Sequence, residues 1–102
     1  MKIEKKNDRT AVIIPAGKID VTNSNLIKEK LIELYQENFN DIIIDFTNVN
    51  ALDSSGIGKL LVFYKKLKDR GGTLSIINIK HNNIRHLLDM ICLDKVININ
   101  WD

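Results

Sequence analysis

The sequence predicts an α/β domain built on a mixed, mainly parallel sheet. Strand-like and helix-like segments alternate along its 102 residues, the pattern of a parallel sheet with right-handed crossovers. Ile42, Ile43 and Ile44 form a continuous apolar run, as in a central strand buried on both faces. The helical segments repeat their apolar residues at three- and four-residue spacing, so each can cover a sheet with one face. A chain of this length is expected to form one domain over residues 1–102, with a core that needs neither disulfide nor metal.

The elements follow in order. Ile3 to Lys6 is a short, weak strand, and Asn7-Asp8-Arg9 supplies turn chemistry. Ala11 to Ile14 is a better strand. Pro15 lacks a backbone donor, so with Gly17 it marks an edge or bulge at the far end. A first helix starts at Asn23 or Ser24, either of which can cap it, and carries Leu26, Ile27, Leu31, Leu34 and Tyr35 as its stripe. Asp41 to Phe46 is the central strand. Thr47-Asn48-Val49-Asn50 reads as a loop leading to Ala51-Leu52-Asp53.

A second helix runs from about Ser55 to Asp69, with Ile57, Leu60, Leu61, Tyr64 and Leu67 on one face and Gly71-Gly72 as its stop. Thr73 to Ile79 is a strand. Asn82 or Asn83 caps a third helix bearing Ile84, Leu87, Leu88 and Ile91. Val96 to Trp101 alternates and reads as a half-exposed last strand. The predicted order is β-β-α-β-α-β-α-β.

Composition narrows the function. Fifteen Lys and Arg against thirteen Asp and Glu leave a charge of +2, too small a bias to imply direct nucleic-acid binding. Lys65, Lys66, Lys68 and Arg70 suit the negative end of a helix dipole. No stretch is long and apolar enough to span a bilayer, and the first residues lack the apolar core of a signal peptide. A soluble, cytoplasmic protein without membrane contact is expected. The single Cys92 rules out an internal disulfide; its apolar neighbours predict a small buried hydrophobe.

The most informative stretch is Asp53-Ser54-Ser55-Gly56-Ile57-Gly58, where a strand gives way to a helix. Helix N-termini present free N–H groups and a positive dipole end to anions. Asp or Ser can cap such a helix and one glycine eases the turn, which accounts for part of the motif. Two hydroxyls exceed what a cap needs. Gly58 costs a helix roughly 1 kcal/mol relative to Ala, so it implies close approach by a strand or a partner.

Catalytic motifs fail by spacing. A nucleophile elbow needs glycine two residues either side of the serine, and neither Ser54 nor Ser55 has that. Leu61 stands where a dinucleotide fingerprint needs a third small residue. His81 and His86 lie on different helix faces without converging ligands, so no metal or other cofactor is expected. Asp20 and Asp53 both follow strands and are expected at one edge of the sheet. A paired-carboxylate hydrolase would need more pocket wall than one short domain offers; Asp20 can instead organise the turn into the first helix.

The run Asn50-Ala51-Leu52 followed by the Asp-Ser-Ser-Gly motif resembles the signature of bacterial anti-sigma factor antagonists, which are stand-alone STAS domains. Gly17-Lys18-Ile19-Asp20 with Asn23, the pair Gly71-Gly72, and Ile84-Arg85-His86-Leu87-Leu88 resemble further landmarks of that family. The resemblance implies a four- or five-stranded sheet with helices mostly on one face. It implies a binding module with no catalysis of its own.

By the same resemblance, Ser55 is the residue phosphorylated by an anti-sigma factor serine kinase, with Ser54 the competing acceptor unless it serves as the cap, and a serine phosphatase resets it. The unmodified form would bind the anti-sigma factor and release a sigma factor. Asp20, Asn23, Asp53, Ser54, Ser55, Gly56, Ile57 and Gly58 are the expected partner-binding residues. Many relatives carry a further helix after the last strand, which this sequence lacks; a monomer or weak dimer is expected. Two other roles remain open: a STAS scaffold in a larger signalling or lipid-transport assembly, and a nucleotide- or phosphate-binding module.

Overall fold

The computed structural model describes residues 1–102. Strands β1 (Lys2–Lys5), β2 (Thr10–Ile14), β4 (Asp41–Asp45), β6 (Thr73–Ile77) and β7 (Asn98–Ile99) form one sheet in the order β1-β2-β4-β6-β7. β1 is antiparallel to β2, and the remaining pairs are parallel. Two further strands, β3 (Ala16–Ile19) and β5 (Asn48–Leu52), pair in parallel as a separate small sheet. Helices α1 (Ser24–Gln36), α2 (Ser54–Asp69) and α3 (Asn82–Met90) complete the domain, with a single 3-10 turn at Leu93–Lys95.

The small sheet corrects the sequence-based expectation at two places. The segment read as a loop at Thr47–Asn50 contains most of β5, and the stretch after Pro15 is a strand of its own. Val49 is buried between exposed Asn48 and Asn50, a strand alternation that the asparagines disguise. Pro15 stands at the corner where the chain leaves the large sheet for the small one. A register shift between Gly17 and Lys18 follows, and Gly17 has φ +79°, a conformation suited to glycine.

Alternation along the strands sorts the sheet faces. Ala11, Ile13, Ile42, Ile44, Leu74 and Ile76 are buried within the core. Against them pack Ile27, Leu31 and Leu34 of α1, Leu60, Phe63 and Leu67 of α2, and Ile84 and Leu88 of α3. The intervening Ile43, Ser75 and Ile77 line a shallow open groove on the other face with Asn98. The central strand is therefore fully buried on one face and half-buried on the other. The helical stripes are rotated from those expected. Leu26, Leu61 and Ile91 are exposed, whereas Phe63, absent from the expected stripe, is buried.

The last element is shorter than expected, but its alternation holds. Ile97 is buried, Ile99 and Trp101 pack half-buried against the core, and Val96 is exposed. Cys92 is exposed with φ 57°, contrary to the expected buried hydrophobe, because it ends α3 in a left-handed turn.

α1 and α2 lie side by side in the same direction. Ser24 meets Ser55 at their starts, and the Tyr35 ring near the end of α1 packs edge to face on Phe63 in the second half of α2, with centroids 6.5 Å apart. Arg70 locks that far end. Its guanidinium donates to Asn40 Oδ1 at 2.8 Å, Tyr35 O at 2.8 Å and Phe39 O at 3.0 Å, and stacks 3.6 Å from the Tyr35 ring centroid.

Candidate functional site

β3 and β5 bring the two predicted landmarks together. Ile19 and Leu52 are register partners, so Asp20 and Asp53 are the next residues on neighbouring strands. The Asp53 N–H donates to Ile19 O at 3.1 Å and fastens the two strand ends. Asp20 and Asp53 thus share one sheet edge as expected, although it belongs to the small sheet.

The Asp20 turn is organised by side chains. Thr22 donates to Asp20 Oδ1 through its hydroxyl at 2.5 Å and its N–H at 3.0 Å. The Thr22 hydroxyl, followed by the Thr22 and Asn23 N–H groups and the Lys18 charge, holds the Asp20 carboxyl below its ordinary value. Asn23 does not cap α1 with its side chain. Its Oδ1 accepts from the Asp20 N–H at 2.8 Å, and its Nδ2 donates to Lys18 O. Asn23 therefore shapes the strand-to-helix corner.

At α2 the cap is Asp53, whose carboxylate accepts from the Gly56 N–H at 3.0 Å. That leaves the N–H groups of Ser54 and Ser55 for another acceptor. Ser54 starts the helix one residue earlier than expected, is exposed, and is not needed as the cap. Ser55 is half-buried. Its Oγ lies 3.1 Å from Ser24 Oγ on α1, and Ser24 is itself only 1% exposed. This pairing was not legible in the sequence, where Ser24 read as an alternative cap.

The two glycines exchange roles. A Cβ on Gly56 would sit 2.6 Å from Ile19 Cγ2, 2.8 Å from Leu52 Cδ1 and 3.1 Å from Ile19 O. The close approach expected at Gly58 occurs at Gly56, where α2 crosses the small sheet. Gly56 is buried, so it serves the fold and offers no surface to a partner. Gly58 is exposed, and a Cβ there would meet nothing within 4 Å. Ile57 is half-buried beside it.

The resulting surface contains exposed Ser54 and Gly58 and half-exposed Asp20, Asn23, Asp53, Ser55 and Ile57. Two parallel helix starts converge beneath it, an arrangement that favours an anion. No three His, Cys, Asp or Glu side chains come together as a metal-binding group, and no helix is long and apolar enough to cross a membrane.

A family profile described as the STAS domain matches residues 2–101. The anti-sigma-B factor antagonist of Bacillus subtilis is 32% identical over 96 residues, covering 94% of this chain and 86% of that protein. Two solved structures share the fold at 22% identity. The anti-sigma factor antagonist SpoIIAA in its unphosphorylated form superposes with a TM-score of 0.81 over 99% of this chain and 88% of that one. The Bacillus cell-fate determinant SpoIIAA in the phosphorylated form gives 0.75 over 99% and 91%.

Proposed function

The chain belongs to the STAS-domain family, and on that premise we propose that it is an anti-sigma factor antagonist switched by phosphorylation of Ser55. The similarity to the Bacillus subtilis antagonist supports the first half of this proposal. The observation that carries the second is the place of Ser55. It is the second residue of α2, directly before buried Gly56, at the meeting of two helix starts.

The unmodified protein binds a kinase-type anti-sigma factor through this surface and the exposed side of α2, displacing a sigma factor. A specific, stable complex of this kind buries about 1,200–2,000 Å². In the kinase step Ser55 Oγ attacks the γ-phosphorus of ATP. The Oγ–P bond forms, the bond to the ADP oxygen breaks, and the hydroxyl proton passes to a base of the kinase. Phosphorylation adds about −1.5 to −2 charges and three acceptor oxygens. The free N–H groups of α2 take up part of that charge and Lys59, one turn along, screens part of the rest. Asp53 adds like charge. The partner then meets a bulky anion where it met a hydroxyl, so binding is blocked directly and the fold stays as it is. A serine phosphatase restores the hydroxyl by hydrolysis.

Affinity capture from a cytoplasmic lysate with wild-type, Ser55→Ala and Ser55→Asp baits tests this. An ATP-binding kinase is expected with the first two only. Equal recovery by all three, or phosphate found by mass spectrometry on Ser54 in place of Ser55, refutes the assignment.

A further inference from the structure

Ser24 is the one polar residue buried in the chain, and its hydroxyl is matched only by Ser55 Oγ, 3.1 Å away. No buried side-chain polar atom is left without a partner, so Ser55 keeps the Ser24 hydroxyl satisfied. We propose that Ser24 is a positioning residue for the modification of Ser55, a role that rests on Ser55 being the phosphoacceptor. In the unmodified protein Ser24 holds the Ser55 hydroxyl against α1. Once Ser55 is esterified, Ser24 donates its hydrogen bond to the phosphoryl group.

The chemistry of the pair leads to this. Either hydroxyl can donate while both carry a proton. Phosphorylation removes the proton of Ser55, and only Ser24 keeps one. A phosphoryl oxygen is a charged acceptor and binds a hydroxyl more strongly than a neutral oxygen does. Ser24 then joins the N–H groups of Ser54 and Ser55 around the same anion. Ser24 takes no proton and is neither acid nor base in the transfer. Other charged groups near the phosphate are Asp53 at the cap of α2, Lys59 one turn along α2, Lys28 one turn along α1, and Asp20 with Lys18 at the turn into α1. Ser54 is exposed and has no buried hydroxyl against it, so the same device is lacking there.

The test places phosphoserine at position 55 during synthesis by genetic encoding, in the wild-type background and with Ser24→Ala. The phosphate is titrated by phosphorus NMR. Removing a donor to the more highly charged form raises its second pKa. A rise of about 0.7–1 unit is expected in Ser24→Ala, a single donor's share of the roughly two-unit effect of two or three donors on a carboxylate. Phosphoserine at position 54 is the control, and its titration is expected to be the same in both backgrounds. Identical titrations at position 55, or an equal shift at position 54, overturn the proposal. A merely structural Ser24 would change the melting temperature and leave the titration alone. The phosphate is installed without a kinase, so this result stands or falls separately from the capture experiment.

Discussion

Replacing each motif glycine by alanine separates packing from surface. At Gly58 an added methyl meets nothing within 4 Å, and the residue lies inside α2. Alanine there gains helix propensity, about 0.5–1 kcal/mol. For a domain near 100 residues each kcal/mol shifts Tm by about 4–8 °C, so Gly58→Ala is expected to melt about 2–8 °C higher. At Gly56 the same methyl would lie 2.6 Å from Ile19 Cγ2 and 2.8 Å from Leu52 Cδ1, with Ile19 O at 3.1 Å. The side chains can shift, but the carbonyl is held in the corner that bonds the Asp53 N–H. Overpacking of this kind costs about 1–3 kcal/mol, which exceeds the propensity gain. Set against a propensity gain of about 0.5 kcal/mol, the net loss of about 0.5–2.5 kcal/mol is expected to make Gly56→Ala melt about 2–20 °C lower. Calorimetry and urea unfolding with an unchanged m-value provide the measurements. A Gly56→Ala protein as stable as wild type, or a Gly58→Ala protein less stable than wild type, refutes the division of roles. Gly58→Ala is also expected to weaken capture of the anti-sigma factor while the fold is strengthened, because the methyl stands on the proposed contact surface.

Three further outcomes are expected. Arg70→Lys loses the fork that reaches Asn40, Tyr35 O and Phe39 O together, and destabilises by about 1–3 kcal/mol in urea unfolding; an unchanged midpoint would show the clamp to be ornamental. Asp20 titrates below its ordinary value of 3.8, and Thr22→Val moves its NMR midpoint up towards that value. The sign follows from the depressed folded-state value: the contribution to stability is present above pH 3.8 and is lost as pH falls through the folded-state midpoint. A Thr22→Val midpoint equal to that of wild type would remove Thr22 as the cause. Cys92→Gly relieves a left-handed φ of 57° and is expected to raise stability by about 1 kcal/mol, read by calorimetry; a lower Tm would show that the cysteine side chain does more than occupy the turn.

Most of the large sheet was legible because its strands carry long apolar runs and its helices repeat their apolar residues. The small sheet was not. β3 follows a proline and contains a glycine, and β5 has two asparagines facing water, so both carry the composition of loops. The two landmarks of the site could be read as motifs, yet their meeting depends on that small sheet. The glycine roles inverted for the same reason: the strand that crowds Gly56 was not foreseen. Ser24 had a local explanation as a helix cap, and no spacing rule signals a hydroxyl pair formed across 31 residues. Cys92 was misread because its apolar neighbours belong to a helix that ends at Met90, two residues before it.

The Arg70 clamp sits where the parallel strands begin, and the Ser24–Ser55 pair sits where they finish. Hereditary damage should sort along that axis. Alleles altered near Arg70 would lower the protein's abundance, and a suppressor that strengthens folding anywhere in the chain could restore it. On the proposed switch, alleles that change Ser55 itself would leave normal amounts of a deaf protein, beyond the reach of any such suppressor.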